Sequence, residues 1–194
     1  MAKRTGGKYE AIIEAAVRVI AEHGYHNAQV SKIAREAKVA DGTIYLYFKN
    51  KDDVLISLFN EKMGSFIACV EDEISKEASP VEQLRKLIQL HFGYLEKDHK
   101  LALVTQIELR QANPEVRKGI GKILKRYLNL IEGILEKGIR SGEFGENLDV
   151  RIARKMIFGT LDETVTSWIM NDFKYGLFNQ ADAIHRLFIH GMSK

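Results

Sequence analysis

The segment from residue 30 to residue 51, VSKIAREAKVADGTIYLYFKNK, constrains this chain more than any other. In its first half, apolar residues recur at intervals of three and four, which predicts a short amphipathic helix. After a tight turn comes a second short element, whose apolar side we expect to consist of Ile44, Leu46 and Phe48. The side chains left outside are Ser31, Lys32, Arg35, Lys38, Thr43, Tyr45, Tyr47, Lys49 and Lys51. Such side chains contact phosphates and base edges, so the segment predicts a helix-turn-helix that binds DNA.

Positive charge is concentrated in the same part of the chain. Residues 1–51 contain nine lysines and arginines against five acidic residues, whereas the other 143 residues contain twenty against twenty-one. Because a protein that neutralises DNA phosphates releases counterions, a locally basic segment favours DNA binding. Considered without the motif, the same charge is equally compatible with a solvated basic surface.

The rest of the chain predicts an all-α fold with about nine helices. Only two prolines occur, and Ser79-Pro80 and Asn113-Pro114 each combine a helix cap with a proline suited to the first helical turn. Gly24 is suited to the end of the first helix. We predict that the first three helices form the DNA-binding head and that a longer fourth helix leads from it into a helical body.

Composition argues against several other classes of protein. The single Cys69 rules out a disulfide framework within the chain and suits a reducing compartment. No apolar run approaches the roughly 18 residues of a membrane-spanning helix, and no signal-peptide core is present at the N-terminus. We therefore expect a soluble, cytoplasmic protein with no membrane partner.

An enzyme built on a helical bundle is the main alternative from another class. Di-metal bundles use paired Glu-x-x-His motifs together with two further carboxylates. Here Glu96-x-x-His99 occurs once, and Asp182-x-x-His185 is a poor second copy. The sequence contains no phosphate-binding loop, nucleophile elbow or zinc motif. We predict no enzymatic activity, no catalytic residue, no metal site and no cofactor.

The last two predicted helices carry apolar residues on broad faces. These residues include Ile152, Met156, Trp168, Ile184, Leu187 and Phe188. An intramolecular core is one explanation, and a homodimer interface that forms a four-helix bundle is the other. A helix-turn-helix protein needs a second copy to reach two half-sites, which favours the dimer.

The head resembles the TetR family of one-component repressors. The matching residues are Ala15-Ala16, Ile20, Gly24-Tyr25, Val30, Ile33-Ala34, Ala37, Val39, Gly42-Thr43-Ile44-Tyr45, Tyr47-Phe48 and Lys51. The resemblance implies a three-helix DNA-binding head over residues 1–50 and an all-α ligand-binding and dimerisation domain over residues 51–194, with a dimer formed by the carboxy-terminal helices.

The resemblance also implies roles for individual residues. Lys51 resembles the family's phosphate-binding lysine at the start of a helix, where the helix dipole also attracts an anion. Tyr47 resembles a phosphate-contacting aromatic residue, although ordinary packing is the alternative for Tyr45 and Tyr47. Gly42 allows the backbone to approach the DNA closely. The expected DNA contacts are Gln29, Ser31, Lys32, Gly42, Thr43, Tyr45, Tyr47 and Lys51.

Several positions depart from the family pattern. Residues 28–29 are Ala-Gln where a Thr pair is usual, so Asn27 or Gln29 is expected to cap the second helix. The usual Ser cap of the third helix is also replaced, and Asp41 is the expected substitute. Lys38 replaces a turn glycine, so we expect a positive φ there.

Three further passages resemble one branch of the family, which represses fatty acid degradation genes in Gram-positive bacteria and responds to long-chain acyl-CoA. They are GTIYLYFKNKDDVLISLF, TQIELRQANPEVR and MIFGTLDETVTSWIMND. The resemblance implies that a dimer binds palindromic operator DNA and that long-chain acyl-CoA releases it. A family member that responds to another hydrophobic or cationic molecule is the alternative.

An acyl-CoA site needs a dry tunnel for the tail, with cationic donors at its mouth. Ordinary core packing is the alternative for each apolar candidate. The tail candidates are Met63, Phe66, Ile67, Val70, Leu103, Ile107, Phe158, Leu161 and Trp168. For the polar end we expect Arg110 with Gln106, whereas Arg117 and Lys118 are expected to lie on a solvated helix face.

Overall fold

The computed structural model describes residues 6–192, which form nine α-helices and one short 3-10 helix. The α-helices are α1 (Gly7–Asn27), α2 (Val30–Glu36), α3 (Asp41–Tyr47), α4 (Lys51–Ser75), α5 (Pro80–Lys97), α6 (His99–Glu108), α7 (Pro114–Ser141), α8 (Val150–Met170) and α9 (Ala181–Met192). The 3-10 helix, Phe178–Gln180, directly precedes α9. No strand occurs among the described residues, and the predicted all-α fold is confirmed.

Two helices begin at the predicted cap-plus-proline pairs. The hydroxyl of Ser79 accepts the backbone N–H of Glu82 at 3.2 Å at the start of α5. At the start of α7, the Asn113 side-chain oxygen accepts the backbone N–H of Glu115 at 2.9 Å. Each cap satisfies an N–H group that has no partner inside its helix, so local sequence alone determines where these helices start.

Gly24 interrupts α1 as the sequence predicts. Its backbone has φ 72° and ψ 156°, a conformation that side chains with a Cβ rarely adopt. One further helical turn, not predicted from the sequence, follows the break and ends at Asn27. The chain therefore changes direction between the main part of α1 and the residues that lead into α2.

The chain divides into two compact units that differ from the predicted domains. The first contains residues up to 64 together with residues 100–123, and the second contains residues 65–99 and those from 124 onward. The first unit therefore holds α1–α3, the first part of α4, nearly all of α6 and the first part of α7. The functional boundary at residue 50 stays a prediction, because a division by packing does not test it.

The core of the first unit is built from the apolar face of α1. Ile12 and Ala16 are fully buried, as are Ile33 of α2 and Phe48 after α3. Within this unit α7 approaches α4 closely, since a Cβ at Gly119 would lie 2.6 Å from Cδ1 of Ile56. Glycine at this position permits the two helices to pack.

The second unit has its core along α5. Leu84, Leu87, Ile88 and Phe92 are fully buried and repeat at helical spacing. Residues of α9 pack on this helix, where His185 is only 2% exposed. None of the helices in residues 6–192 combines the length and the apolar composition that crossing a membrane requires.

Candidate nucleic-acid interface and ligand-binding body

Helices α2 and α3 form the predicted helix-turn-helix. The backbone N–H of Val39 donates to the carbonyl of Ala34 at 3.0 Å and closes the turn between them. Lys38 in this turn has φ 56°, which confirms the expected positive value. Val39 itself is half-buried.

The apolar side of α3 differs from the prediction at one residue. Ile44 and Phe48 are 1% and 0% exposed, but Leu46 is 58% exposed. The prediction that Leu46 belongs to the apolar side is therefore wrong. The prediction used an alternating pattern over these residues. In a helix, positions four apart share a face, whereas a position two residues away points elsewhere.

The expected side-chain caps of the two short helices are also wrong. Gln29 precedes α2 without a side-chain cap bond, and the amide of Asn27 donates instead to the carbonyl of His23. No side-chain cap bond occurs at the start of α3, where Asp41 lies in the first turn. The backbone supplies part of the missing pairing, because the N–H of Lys32 donates to the carbonyl of Gln29 at 3.0 Å.

The predicted DNA-contacting residues lie in the first unit, and the structure leaves most of them accessible. Tyr45 is 56% exposed, whereas Tyr47 is half-buried, with its ring centroid 6.1 Å from that of Tyr9. Tyr47 therefore packs partly against Tyr9, in line with the alternative explanation of ordinary packing. The exposed members of the set are Gln29, Ser31, Gly42 and Tyr45, and the half-buried members are Lys32, Thr43, Tyr47 and Lys51.

Lys51 is held at the end of α1 by two carbonyl groups. Its ammonium donates to the carbonyl oxygens of Tyr25 at 2.9 Å and His26 at 3.0 Å, and lies 4.5 Å from the centroid of the Tyr25 ring. An ammonium group has three N–H donors. Two of them fix the start of α4 to the end of α1, and no hydrogen-bond acceptor for the third occurs among residues 6–192.

Tyr25 joins four segments of the first unit, a role that sequence reasoning missed. Its backbone N–H donates to Oε1 of Glu108 in α6 at 3.2 Å, and its hydroxyl donates to the carboxylate of Asp52 in a short hydrogen bond. The other oxygen of Asp52 accepts the amide of Asn113 at 3.1 Å. Burial, and then the hydrogen bond to Asp52, raise the pKa of Tyr25, so the hydroxyl stays a proton donor.

An aromatic cluster in the second unit contains two of the predicted tail residues. It consists of Phe66, His91, Tyr94, Tyr127 and Phe158. The Phe66 ring lies 4.8 Å from the Tyr94 ring and 5.9 Å from the Tyr127 ring, and the Phe158 ring lies 6.4 Å from that of Tyr127. Phe66 and Phe158 therefore share Tyr127 as a neighbour.

The aromatic cluster contains a polar pair. Nδ1 of His91 lies 2.9 Å from the hydroxyl of Tyr127, and the two rings are stacked with centroids 5.7 Å apart. Burial lowers the pKa of His91 to about 4 and raises that of Tyr127. Both groups are therefore neutral near pH 7 and form a hydrogen bond among apolar neighbours. Nothing in the sequence near His91 identifies Tyr127, 36 positions later, as its partner.

The other predicted ligand residues divide between the two units. Ile107 is 51% exposed, and Arg110 is exposed too, with a guanidinium nitrogen that donates to the carbonyl of Gln106 at 2.8 Å. Met63 and Leu103, also in the first unit, are half-buried. The remaining tail candidates in the second unit are fully or almost fully buried, and they are Ile67, Val70, Leu161 and Trp168.

A groove in the second unit runs along the outer side of the aromatic cluster. It has a volume of about 440 Å³ and lies between α4, α5 and the 3-10 helix. Phe66 and Tyr94 line it, with Phe178 at one side and the lysines Lys86 and Lys97 among its polar residues. Two rings of the cluster are thus accessible from this groove.

Helices α8 and α9 expose a second apolar surface. Ile152 is 50% exposed, Met156 60% and Leu187 74%. These three side chains line a small groove of about 140 Å³, together with Ala153 and Phe188. Large apolar side chains in such a continuous surface are typical of a protein–protein interface.

The residues of the possible di-metal motifs have structural partners instead. Glu96 accepts the backbone N–H of Phe178 at 3.4 Å, and the ring of His99 stacks on that of Phe173 with centroids 4.2 Å apart. His185 lies between the guanidinium of Arg85 and a backbone carbonyl. Among residues 6–192, no three His, Cys, Asp or Glu side chains gather into a group that would hold a metal ion.

Comparison with known proteins gives consistent matches over the whole chain. Residues 12–58 match the family described as bacterial regulatory proteins, tetR family, and residues 59–191 match the YsiA-like protein, C-terminal region. The fatty acid metabolism regulator protein of Bacillus subtilis (strain 168) is 58% identical over 190 residues, which cover 98% of each chain.

Two solved structures of bacterial regulators also match this chain over nearly its whole length. The crystal structure of the transcriptional regulator FadR from Bacillus subtilis in complex with stearoyl-CoA matches with a TM-score of 0.92 and 59% identity, covering 95% of this chain and 99% of that one. The fatty acid degradation regulator FadR from Bacillus halodurans matches with a TM-score of 0.92 and 55% identity over the same shares. These relatives are regulators rather than enzymes, which agrees with the prediction made from the sequence.

Proposed function

Because this chain belongs to the TetR family of bacterial regulatory proteins, we propose that it represses fatty acid degradation genes by binding operator DNA as a dimer and that long-chain acyl-CoA releases it. One observation carries the proposal: 58% identity to a fatty acid metabolism regulator extends over 98% of both chains. The relative whose structure contains stearoyl-CoA covers the body as well as the head. As a regulator of bacterial genes, the protein would act in the cytoplasm, where the chromosome lies.

The proposed DNA-binding surface is the exposed side of α2 and α3. Tyr45 and Thr43 would contact bases, with the backbone at Gly42 close to the DNA. Lys51 and Tyr47 would contact phosphates, while Gln29, Ser31 and Lys32 would complete the surface. The remaining N–H donor of Lys51, at the start of a 25-residue helix, supports the phosphate contact.

The proposed dimer forms through the outer faces of α8 and α9. Exposure of Ile152, Met156 and Leu187 supports this assignment, because these side chains have apolar surface to bury. Two helices from each protomer would then form a four-helix bundle. A dimer places two heads on one duplex, and successive major grooves require a separation of about 34–36 Å.

The proposed effector site takes the acyl tail among apolar residues of the body and the polar end at Arg110 and Gln106. The tail residues are those predicted from the sequence: Met63, Phe66, Ile67, Val70, Leu103, Ile107, Phe158, Leu161 and Trp168. Insertion of the tail would tilt α4 and change the spacing of the heads. A ligand shifts this equilibrium only by binding the released state more tightly than the DNA-bound state.

Operator selection followed by ligand titration tests the proposed function. Duplexes retained from a random pool by the purified protein should contain an inverted repeat. Binding to such a duplex should then be lost when stearoyl-CoA is added, but not when coenzyme A or a cationic drug is added. Operator binding that stays undiminished at saturating stearoyl-CoA would overturn the proposal that long-chain acyl-CoA is the effector. Release of the operator by the cationic drug would favour the alternative class of ligand.

A further inference from the structure

Leu46 lies on the outer face of α3, opposite the side that packs on the core. Ile44 is 1% exposed, and two positions along a helix turn by about 200°, so Leu46 points away from the core and is 58% exposed. Gly42 lies four positions before Leu46 and is also exposed, so these two residues share one face of the helix. An apolar side chain therefore occupies the face of α3 that the proposed function directs towards the major groove.

Packing within the described chain explains neither Leu46 nor Gly42. A Cβ at Gly42 would meet no atom within 4 Å, and the φ of this residue is not positive. Glycine inside a helix is unfavourable relative to alanine, and the exposed part of Leu46 stays in water, where it adds nothing to the stability of the fold. A partner outside the chain accounts for both residues. Gly42 lowers the helix surface next to Leu46, and the leucine side chain projects from it.

The surroundings of Leu46 favour DNA over a protein as this partner. A protein interface presents a continuous apolar patch. Among the described residues of the first unit, the exposed large apolar side chains are Tyr45, Leu46 and Ile107, and Ile107 belongs to α6. Thr43 lies three positions before Leu46, and the exposed Lys49 lies three positions after it. A leucine among cationic and hydroxyl-bearing side chains suits a groove that has phosphates along its edges.

We propose that Leu46 recognises the C5-methyl group of a thymine in each half-site of the operator. This inference rests on the proposed function and adds a base contact to it. Among the groups that base pairs present in the major groove, the thymine methyl is the apolar one, and apolar side chains recognise it by direct contact. A cytosine at the same place would turn its amino group towards a side chain that accepts no hydrogen bond, which is unfavourable. The contact therefore selects sequence, unlike the proposed phosphate contacts.

Replacement of thymine by deoxyuridine tests the inference with the full chain, because the two bases differ only by the methyl group. The duplex is one that the protein retains in the operator selection. Each thymine of one half-site is replaced together with its symmetry mate, one pair at a time. At one such pair, the wild type should bind about fifteenfold more weakly, which is about fourfold for each methyl group lost. The hydrogen-bonding edge of the base stays the same, so this loss reports the methyl group.

The variant Leu46→Ala shows whether this residue makes the contact. It should bind the thymine duplex about as weakly as the deoxyuridine duplex, with a ratio below about twofold. Leu46→Met keeps an apolar side chain of similar volume and should retain the discrimination. Because Leu46 is exposed and alanine is favourable in a helix, Leu46→Ala should leave the melting temperature unchanged.

Phe178→Ala is the matched control, since it removes a large apolar side chain that is 45% exposed in the second unit. It should keep the ratio of the wild type. Selected half-sites that contain no thymine, or a wild type that tolerates deoxyuridine at every thymine, would overturn the inference. A Leu46→Ala variant that keeps the wild-type ratio at every position would overturn it too. Failure of the wild type to bind any duplex would instead contradict the proposed function, so the two failures are distinguishable.

Discussion

The backbone N–H of Tyr25 donates a hydrogen bond of 3.2 Å to the side chain of Glu108, a residue 83 positions later in the chain. Glu108 is only 6% exposed and also accepts the side-chain amide of Gln111. A buried carboxylate is stable only when such donors surround it. The end of α1, which leads into the helix-turn-helix, is thus anchored to α6, which carries several of the proposed effector residues.

The hydroxyl of Tyr25 is expected to contribute to stability through Asp52. Tyr25→Phe removes this donor while Asp52 keeps its bond to Asn113. We expect the free energy of unfolding in urea to fall by about 1.5–3 kcal/mol, the usual contribution of a hydrogen bond to a charged group. Tyr45→Phe, at an exposed hydroxyl, serves as the control and should change it by less than about 0.5 kcal/mol. Equal effects of the two substitutions would contradict the expected role.

Acidification is expected to destabilise the protein through His91. Its pKa is about 4 in the folded chain, compared with the ordinary value of 6.5. Between these two values the unfolded chain binds the proton more readily, so stability rises with pH there and falls as the pH drops from 6.5 towards 4. The full effect is on the order of 3 kcal/mol.

The variant His91→Gln isolates this contribution, because other titrating groups cancel in the difference from the wild type. Urea unfolding at pH 7, 6 and 5 should show that the wild type loses stability more steeply than the variant. Parallel stability curves for the two proteins would show that the imidazole of His91 is not held neutral by burial.

The proposed dimer predicts a monomeric variant. Leu187→Glu places a charge at a residue that is 74% exposed in the single chain, so the fold of the protomer should not suffer. In the dimer the same charge would be buried without a partner, which is strongly unfavourable. Sedimentation should show a monomer whose helical content is unchanged and whose operator affinity is greatly reduced. Ile107→Glu, at another exposed apolar residue, should remain dimeric.

The proposed phosphate contacts predict a change in salt dependence. If Lys32 binds a phosphate, Lys32→Gln should reduce the slope of log affinity against log salt concentration by about one. The loss should be similar on operator and non-operator duplexes, because phosphates carry no sequence information. Lys137→Gln, in α7, is the control. An identical slope for both variants would show that Lys32 does not contact a DNA phosphate.

Two glycines of α7 should respond in opposite ways to alanine. At Gly119 the new Cβ would lie 2.6 Å from Cδ1 and 2.9 Å from Cγ2 of Ile56, so the branched side chain of Ile56 or the backbone of α7 would have to shift. We expect Gly119→Ala to lower the free energy of unfolding by about 1–2 kcal/mol. Gly121→Ala meets no neighbour and should raise it by about 0.5–1 kcal/mol. Denaturant unfolding measures both, and stabilisation by Gly119→Ala would contradict the close packing of α7 on α4.

The parts of the fold that could be predicted from the sequence depend on neighbouring residues. A Ser or Asn followed by Pro determines a helix start within four residues. The break in α1 lies at Gly24 itself, so both features follow from local chemistry. The helix-turn-helix was recognisable because its turn and its apolar positions lie within 22 residues of chain. Leu46 was misplaced because alternation over a few residues does not distinguish a strand from a short helix.

The contacts missed from the sequence depend on tertiary structure. Nothing local indicates that Tyr25 meets Glu108 or that His91 meets Tyr127, because 83 and 36 positions separate the partners. The same reason explains Lys51: the family resemblance indicated an anion contact, but not that two carbonyl groups already hold its ammonium. Such pairs become visible only when the helices are packed.

Helix α4 contains 25 residues, which at 1.5 Å per residue corresponds to about 37 Å of helix. A helix of that length that turned as one body would be a lever: a rotation of about 5° at one end would displace the other by about 3 Å, roughly the rise of one base pair. Lys51 and Asp52 fasten the first turn of this lever to the segment that leads into the helix-turn-helix. A rearrangement too small to alter the protein core would therefore be large enough to disturb the register between α3 and the major groove of the DNA.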